Sequence, residues 1–151
     1  MVVKSKSPRE TRELAIKIAR RVVVKHGVKQ AVVLALEGEL GAGKTVFVQG
    51  FVKALGIKHK ITSPTFVFMK PYPSAKLMAG KDCTLYHIDS YRLKDHRDLE
   101  ALGVRELIKD PRNILLIEWS DRVSRILPKK YIKIHIDHID KITRKISITE
   151  K

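Results

Sequence analysis

The pattern of hydrophobic and polar residues predicts an amphipathic helix near the N-terminus. Ser7 can cap this helix, Pro8 suits its first position, and Glu10 completes a capping box. Apolar residues then recur at helical spacing between Leu14 and Val22, on a chain that is otherwise basic. We therefore expect a helix with one apolar stripe that packs against the rest of the protein.

Continuous apolar runs predict two buried strands, at residues 32–36 and 114–117. Such runs are typical of strands that are covered on both faces. Shorter runs predict further strands at 66–69 and 84–89, and residues 71–82, with two prolines, a glycine and mixed charge, indicate a loop. The early part of the chain therefore alternates between helices and strands.

The C-terminal part has a different pattern. Residues 95–107 indicate one or two short helices around Gly103, and a short helical stretch follows near 123–126. Isoleucines then alternate with polar residues over 132–137, and the alternation returns at 146–148. This predicts two antiparallel strands with one face in water.

The segment Gly38–Thr45 reads GELGAGKT and fits the phosphate-binding pattern G-x-x-x-x-G-K-S/T. Its glycines allow the backbone to curl so that several N–H groups point at one anion. Lys44 can reach the β- and γ-phosphates, and the Thr45 hydroxyl can ligate Mg²⁺. A predicted strand before the loop and a predicted helix over Lys44–Leu55 supply the context that the motif requires, with the helix N-terminus facing the phosphates.

These elements predict an α/β fold, a three-layer sandwich of the P-loop NTPase kind. Its central sheet is expected to be parallel, with antiparallel C-terminal edge strands. No composition shift or linker divides the chain, so we expect a single P-loop ATPase domain over residues 1–151.

A nucleotide-hydrolysing site also needs acids near the metal and the attacking water. Glu118 ends the run at 114–117, where the carboxyl end of a buried strand places ligands, so we expect it to bind Mg²⁺. Asp89 ends the strand at 84–89 and is expected to hold Mg²⁺ through water or to act on the attacking water. The alternative roles are a solvated carboxylate for Glu118 and a turn-forming side chain for Asp89.

Three further residues attract attention. Thr65 follows Ser63-Pro64, and a hydroxyl on this stiffened segment could sense the γ-phosphate; the alternative is an ordinary loop threonine. Trp119 belongs either to the core or to a functional surface, and its spacing does not decide between them. Cys83 precedes a predicted strand, where a small buried thiol is commoner than a nucleophile.

Composition narrows the partners. The chain of 151 residues has 31 basic and 16 acidic residues and a net charge of +15, which favours nucleotide, RNA or an acidic protein face. Aromatic residues are few and do not alternate with the basic ones, so no stacking platform for single-stranded nucleic acid is indicated. The lack of an apolar N-terminal segment or of a long apolar run predicts a cytoplasmic protein without membrane contact.

Four segments together resemble the TsaE family, the bacterial ATPase component of tRNA N6-threonylcarbamoyladenosine (t6A37) synthesis. They are Gly38–Thr45, Ser63–Phe66, His87–Leu93 and Ile117–Trp119, in the family's order and spread over nearly the whole chain. The phosphate loop is generic, whereas the Ser-Pro-Thr, His-x-Asp and Glu-Trp segments make the combination specific.

The resemblance implies ATP and Mg²⁺ as cofactors, with the metal at Thr45 and Glu118. It implies catalytic importance for Asp89 and a switch-like role for Thr65. The nucleotide contacts that it implies fall on Thr11, Gly41, Ala42, Gly43, Lys44, Thr45 and Val46.

The family's proteins hydrolyse ATP slowly alone and act on a complex of two related partners, TsaD and TsaB, so the resemblance implies homologues of both as partners. The basic charge of the chain suits tRNA as a further partner, reached either by direct contact or through the complex. Two other functions compete with this one. A nucleoside-type small-molecule kinase would use the same loop with a lid, for which the segment 71–82 is short. An RNA-binding module would use nucleotide only as a structural ligand.

Overall fold

One mixed β-sheet occupies the centre of the computed structural model, which describes residues 1–25, 29–59, 61, 68–74 and 83–151. Within these residues the sheet has seven strands: β1 Val2–Ser5, β2 Val32–Glu37, β3 Met69–Ser74, β4 Cys83–Asp89, β5 Asn113–Glu118, β6 Ile132–His138 and β7 Arg144–Glu150. Their order across the sheet is β1-β7-β6-β2-β5-β4-β3.

The centre of the sheet is parallel and its edges are antiparallel. Strand β2 pairs in parallel with β5 and β6, and β5 pairs in parallel with β4. The antiparallel pairs are β6 with β7, β7 with β1, and β4 with β3. The predicted parallel centre and the antiparallel C-terminal strands are therefore confirmed, and β6 joins both parts of the sheet.

Helices cover both faces of this sheet. They are α1 Pro8–Lys25, α2 Lys44–Ala54, α3 His96–Ala101 and α4 Val104–Lys109, with a 3₁₀ segment at Ser120–Ile126. The apolar run in β5 is explained by helices on both faces of this strand. Ile114 and Leu116 pack against α1 and α2 on one face. Leu115 and Ile117 pack against α3, α4 and the 3₁₀ segment on the other face. The three-layer α/β architecture predicted from the sequence is confirmed.

Strand β3 corrects the predicted boundaries. The prediction placed a strand at 66–69 and a loop from residue 71, but the strand runs over Met69–Ser74; residues 66 and 67 lie outside the described part. Strand β3 is an edge strand, paired only with β4 among the described strands. Pro71 and Pro73 are two residues apart, so both can direct their missing N–H toward the unpaired edge.

Three further local predictions are confirmed. Two short helices flank Gly103, and the two C-terminal strands β6 and β7 pair in an antiparallel manner. Cys83 is a buried thiol. Strand β1 was not predicted, because Val2 and Val3 alone give too short an apolar signal. It forms by antiparallel pairing with β7. The parallel strands β2, β5 and β4 end at the same edge of the sheet, and this edge carries the candidate site.

Candidate functional site

The predicted phosphate loop lies between β2 and α2, at the carboxyl end of the central strand. Gly43 has a φ of 106°, in the left-handed region that side chains rarely adopt, and caps the helix that begins at Lys44. The structure brings the predicted nucleotide-binding residues together in this turn, at Gly41, Ala42, Gly43, Lys44, Thr45 and Val46. Thr45 is exposed in the first helical turn, where its hydroxyl is accessible to a ligand.

Gly38 is required by a close approach as well as by its backbone angle. Its φ is 135°, and a Cβ added there would lie 2.3 Å from the carbonyl oxygen of Ile136 in β6. Any larger residue would therefore push the start of the loop away from the sheet. The first glycine of the motif thus fixes the loop against the neighbouring strand.

The Lys44 side chain folds back over its own loop. Its Nζ donates hydrogen bonds to the carbonyl oxygens of Gly38 at 2.7 Å and Glu39 at 2.9 Å. The same atom lies 3.8 Å from the centroid of the Trp119 ring, within the range of a cation–π contact. The ammonium group is thus held beside the curled backbone of the loop, at the place where a phosphate group is expected to bind.

The charge of Lys44 is influenced by the acids around it. Its side chain is only 6% exposed, and this burial lowers the pKa of the ammonium group below its ordinary value. Nearby carboxylates oppose the shift by their negative charge: Glu118, Asp89 and Asp121. The two acids proposed from the sequence therefore lie close enough to the loop lysine to act on it electrostatically.

Sheet register brings these two acids together. Asp89 at the end of β4 lies opposite Glu118 at the end of β5, and Glu118 in turn lies opposite Leu36, the next-to-last residue of β2. Parallel strands place their carboxyl ends at one edge, so segments far apart in sequence converge beside the loop. The sequence reasoning placed both acids correctly at strand ends; their roles remain predictions.

Glu118 is not a solvated carboxylate. It is 3% exposed, and its Oε1 lies 2.7 Å from Nε2 of His87, which is 1% exposed. His87 had a detectable signal, since period two places it on the same strand face as Asp89. The contact with Glu118 could not be read from the sequence because it depends on the pairing of β4 with β5.

Asp89 is half-buried and its Oδ1 accepts a hydrogen bond of 2.9 Å from the backbone N–H of Tyr91. The turn-forming role that the sequence left open is therefore real. It does not exclude chemistry, because a carboxylate has lone pairs for several partners. The turn holds the Asp89 carboxylate at the end of β4, where its charge acts on Lys44.

Trp119 belongs to the site surface. Its φ is 57°, and among the described residues it is the only one other than glycine that has a positive φ. This backbone angle turns its half-buried ring toward Lys44 and against Tyr91, with 4.9 Å between the ring centroids. Arg122 lies over both aromatic rings. Backbone strain of this kind is found at functional sites, and no spacing rule would have located it.

Thr11 is linked to the loop indirectly. It is buried, and its Oγ1 lies 2.8 Å from Oγ of Ser5 in β1. Ser5 pairs with Arg144 of β7, whose Nε donates to the carbonyl oxygen of Ala42 at 3.0 Å. Arg144 braces the phosphate loop from a strand about a hundred residues away, and sequence reasoning missed it because nothing local marks it.

A third carboxylate, Glu37, ends β2 and was also missed. Its Oε2 lies 2.7 Å from Lys133 Nζ and 3.3 Å from His135 Nδ1. The hydrogen bond to Glu37 raises the pKa of Lys133 above its ordinary value. Glu37 is therefore already paired with a lysine side chain. It borders a cavity of about 450 Å³ beside the loop, which Gly38 and Trp119 also line.

The donor set suits Mg²⁺. The Thr45 hydroxyl and the Glu118 carboxylate are hard oxygen donors, and Mg²⁺ in proteins binds through one or two carboxylates together with phosphates and waters. The described residues contain no cluster of three or more histidine, cysteine or acidic side chains that could hold a metal ion. Thr65, the predicted switch residue, lies outside the described part of the chain.

Comparison with known proteins identifies the family of this chain. The sequence profile described as "Threonylcarbamoyl adenosine biosynthesis protein TsaE" matches residues 5–146. The chain belongs to the TsaE family. The segments that carry the sequence resemblance thus lie in one continuous match. No helix in the described residues is both long and apolar enough to cross a membrane.

Individual relatives support the family assignment. The tRNA threonylcarbamoyladenosine biosynthesis protein TsaE of Haemophilus influenzae is 36% identical over 119 residues, which are 79% of this chain and 71% of that protein. The protein of the same name from Bacillus subtilis is 38% identical over 117 residues, which are 78% of this chain and 68% of that protein. The crystal structure of Bacillus subtilis YdiB superimposes with a TM-score of 0.75 and 31% identity, covering 99% of this chain and 84% of that one.

Proposed function

We propose that this protein binds ATP with Mg²⁺ and hydrolyses it slowly, as the nucleotide-driven component of tRNA threonylcarbamoyladenosine synthesis. It acts on a complex of TsaD and TsaB homologues. Membership of the TsaE family supports the pathway. The observation that carries the chemistry is the convergence of Lys44, Glu118 and Asp89 at one edge of the sheet.

The roles of the residues follow from their positions. Backbone N–H groups of the loop and the N-terminus of α2 bind the phosphates, and Lys44 exchanges its two carbonyl partners for phosphate oxygens. Thr45 and Glu118 would hold Mg²⁺, which when bound neutralises charge on the phosphates. Asp89 orients the attacking water or accepts its proton.

Low intrinsic turnover is consistent with the contacts of Lys44. In the structure its ammonium group is occupied by two carbonyl oxygens and the Trp119 ring. These contacts must rearrange before Lys44 can serve a transition state, and a partner protein that moves Trp119 would assist that step. Stimulation by partners therefore has a physical route through this ring.

The decisive experiment measures the ATPase rate of the purified chain alone, with TsaD and TsaB homologues, and with both plus tRNA. We expect magnesium-dependent hydrolysis that increases when the two partners are present, and threonylcarbamoyladenosine formation that requires ATP and the intact Lys44. Modification that proceeds at the same rate without this chain would overturn the proposal.

The same samples test the two competing functions. Transfer of label from ATP to a nucleoside or sugar panel would favour the kinase. Binding of tRNA that is steeply salt-dependent and survives Lys44→Ala would favour the RNA-binding module. Strand β3 shortens the segment that a kinase lid would need, because it includes Pro71, Tyr72, Pro73 and Ser74.

A further inference from the structure

His87 is a buried polar side chain that has no role in the chemistry proposed above. It lies in β4, two residues before Asp89, and reaches the neighbouring strand β5. Both His87 and Glu118 are almost fully buried, at 1% and 3% exposure. A buried polar pair of this kind fixes the orientation of both side chains, since neither can exchange its partner for water.

The hydrogen-bonding capacity of the two groups assigns the direction of the contact. An ionised carboxylate only accepts hydrogen bonds, so Nε2 of His87 donates to Oε1 of Glu118, at 2.7 Å. Nδ1 of the same ring is buried, and no group of the described residues bonds to it. Among the described residues, the contact with Glu118 is therefore what orients the ring, and this contact occupies Oε1 of the carboxylate and not Oε2.

We propose that His87 is a positioning residue that holds the Glu118 carboxylate in place to ligate the magnesium ion of the bound nucleotide. The inference rests on the proposed function and assigns a role that the resemblance did not include. His87 donates to Oε1 from β4, and in this proposal the second carboxylate oxygen of Glu118 is the one that binds the metal.

The position of Lys44 explains why this tether is needed. Its ammonium group is near enough to Glu118 for the carboxylate to influence it. A mobile carboxylate would therefore be drawn toward Lys44, and the pair would neutralise each other at the expense of metal and phosphate. By holding Oε1, His87 keeps the acid on β5 for the metal and leaves the lysine for the phosphates.

The test compares three substitutions at this position. His87→Leu removes the donor, His87→Gln places an amide N–H near the position of Nε2, and His87→Asn carries an amide that is one methylene shorter. Calorimetry measures ATP affinity with Mg²⁺ and with EDTA in place of the metal. We expect the affinity gain from Mg²⁺ to fall about tenfold in the Leu and Asn variants and to stay within about threefold of wild type in the Gln variant. Affinity in EDTA is expected to change less than about twofold.

A matched control separates positioning from general loss of stability. Leu85→Val removes one methylene from the same strand face without touching Glu118. It is expected to lower Tm while the magnesium-dependent gain stays unchanged. If the Leu variant does not fold, the Gln and Asn variants, both polar, decide the matter, because equal magnesium-dependent gains in these two would overturn the proposal.

A double-mutant cycle with Glu118→Ala sharpens the test further. If His87 acts through Glu118, His87→Leu has no additional effect on the magnesium-dependent gain once the acid is gone. An undiminished tenfold effect in the Glu118→Ala background would overturn the proposal. Loss of the proposed function would look different: the wild-type protein itself would show no magnesium-dependent affinity. A magnesium-responsive wild type with an equally responsive His87→Leu variant would refute only the role of His87.

Discussion

The two halves of the candidate site are built in different ways. The phosphate loop, Gly38–Thr45, is one continuous segment whose shape follows from its own glycines and from the helix that begins at Lys44. The acidic half consists of the ends of β4 and β5, where Asp89 and Glu118 come together only because the strands pair in register. The loop supplies positive groups and the strand ends supply negative ones.

In the proposed function, this difference separates nucleotide binding from catalysis. We expect the loop to bind phosphate by itself because its donors are local and largely backbone. The strand ends add nothing without the loop, since a metal ion and a water molecule must be placed relative to phosphates that are already bound. Substitutions in the loop should therefore weaken every nucleotide complex, whereas substitutions at the strand ends should affect only metal dependence or turnover.

The largest effect is expected from Lys44→Ala. Loss of two charge-assisted hydrogen bonds, roughly 2 kcal/mol each, should weaken ATP binding about 1000-fold, both with Mg²⁺ and in EDTA. Calorimetry under both conditions checks this. Lys53→Ala, an exposed lysine near the end of the same helix, is the matched control and should bind normally. An effect confined to the magnesium condition would contradict the separation of the two halves.

Asp89→Ala should cut turnover about 100-fold, the effect of removing a general base or a water-orienting acid, and leave ATP affinity within about threefold. Single-turnover hydrolysis and equilibrium binding measure the two quantities. Asp89→Asn keeps an acceptor for the N–H of Tyr91 and loses the charge. Full activity in the Asn variant would show that Asp89 only shapes the turn.

Glu118→Ala should reduce the magnesium-dependent part of ATP affinity about 30-fold and leave binding in EDTA nearly unchanged. Titration of Mg²⁺ into the nucleotide complex checks this. Glu37→Gln is the matched control, because Glu37 also ends a central strand but is already paired with Lys133. If Glu37→Gln lost as much magnesium dependence as Glu118→Ala, the wrong acid would have been assigned.

Arg144→Ala should weaken binding of ADP in EDTA about fivefold, since one hydrogen bond that braces the loop contributes about 1 kcal/mol. The bond runs from Nε to the carbonyl oxygen of Ala42. Lys145→Ala removes the same charge from the next, exposed position of β7 and should have little effect. Equal losses in both variants would indicate a general charge effect instead of a brace.

The smallest effect is expected at Asp95, a surface carboxylate away from the site. It serves as a reference for how a neighbouring cation changes the pKa of an acid in this protein. Hydrogen bonds from Arg97 lower the pKa of Asp95 from 3.8 to about 2. Because the folded-state pKa is depressed, the stabilisation is present above the ordinary value and is lost as the pH falls through about 2. Arg97→Ala should return the pKa of Asp95 toward 3.8.

Carboxyl NMR titration measures this shift. Asp110 is the internal control, because hydrogen bonds from Arg112 lower its pKa from 3.8 to about 2 in the same way. The pKa of Asp110 should not change in the Arg97→Ala variant. A joint shift of Asp95 and Asp110 would mean that the long-range field of the basic chain, and not the local guanidinium group, sets the acidity of its surface carboxylates.

Much of the site could be predicted because its signals are local. The loop motif, the continuous apolar run before it and the strand-end position of Glu118 are all properties of short segments. The boundaries of β3 were wrong for a physical reason, since prolines are allowed on an edge strand and the sequence does not state which strand is the edge.

The amino-acid sequence by itself determined the anion-binding loop, the buried parallel strands and the acids that end them, because glycine geometry and hydrophobic periodicity act over a few residues. Tertiary structure decided which side chains meet. The contact of His87 with Glu118, the brace from Arg144 to Ala42 and the placement of Trp119 over Lys44 each join distant segments. Such contacts depend on strand order and register, which arise from packing the whole sheet and leave no mark on any single segment.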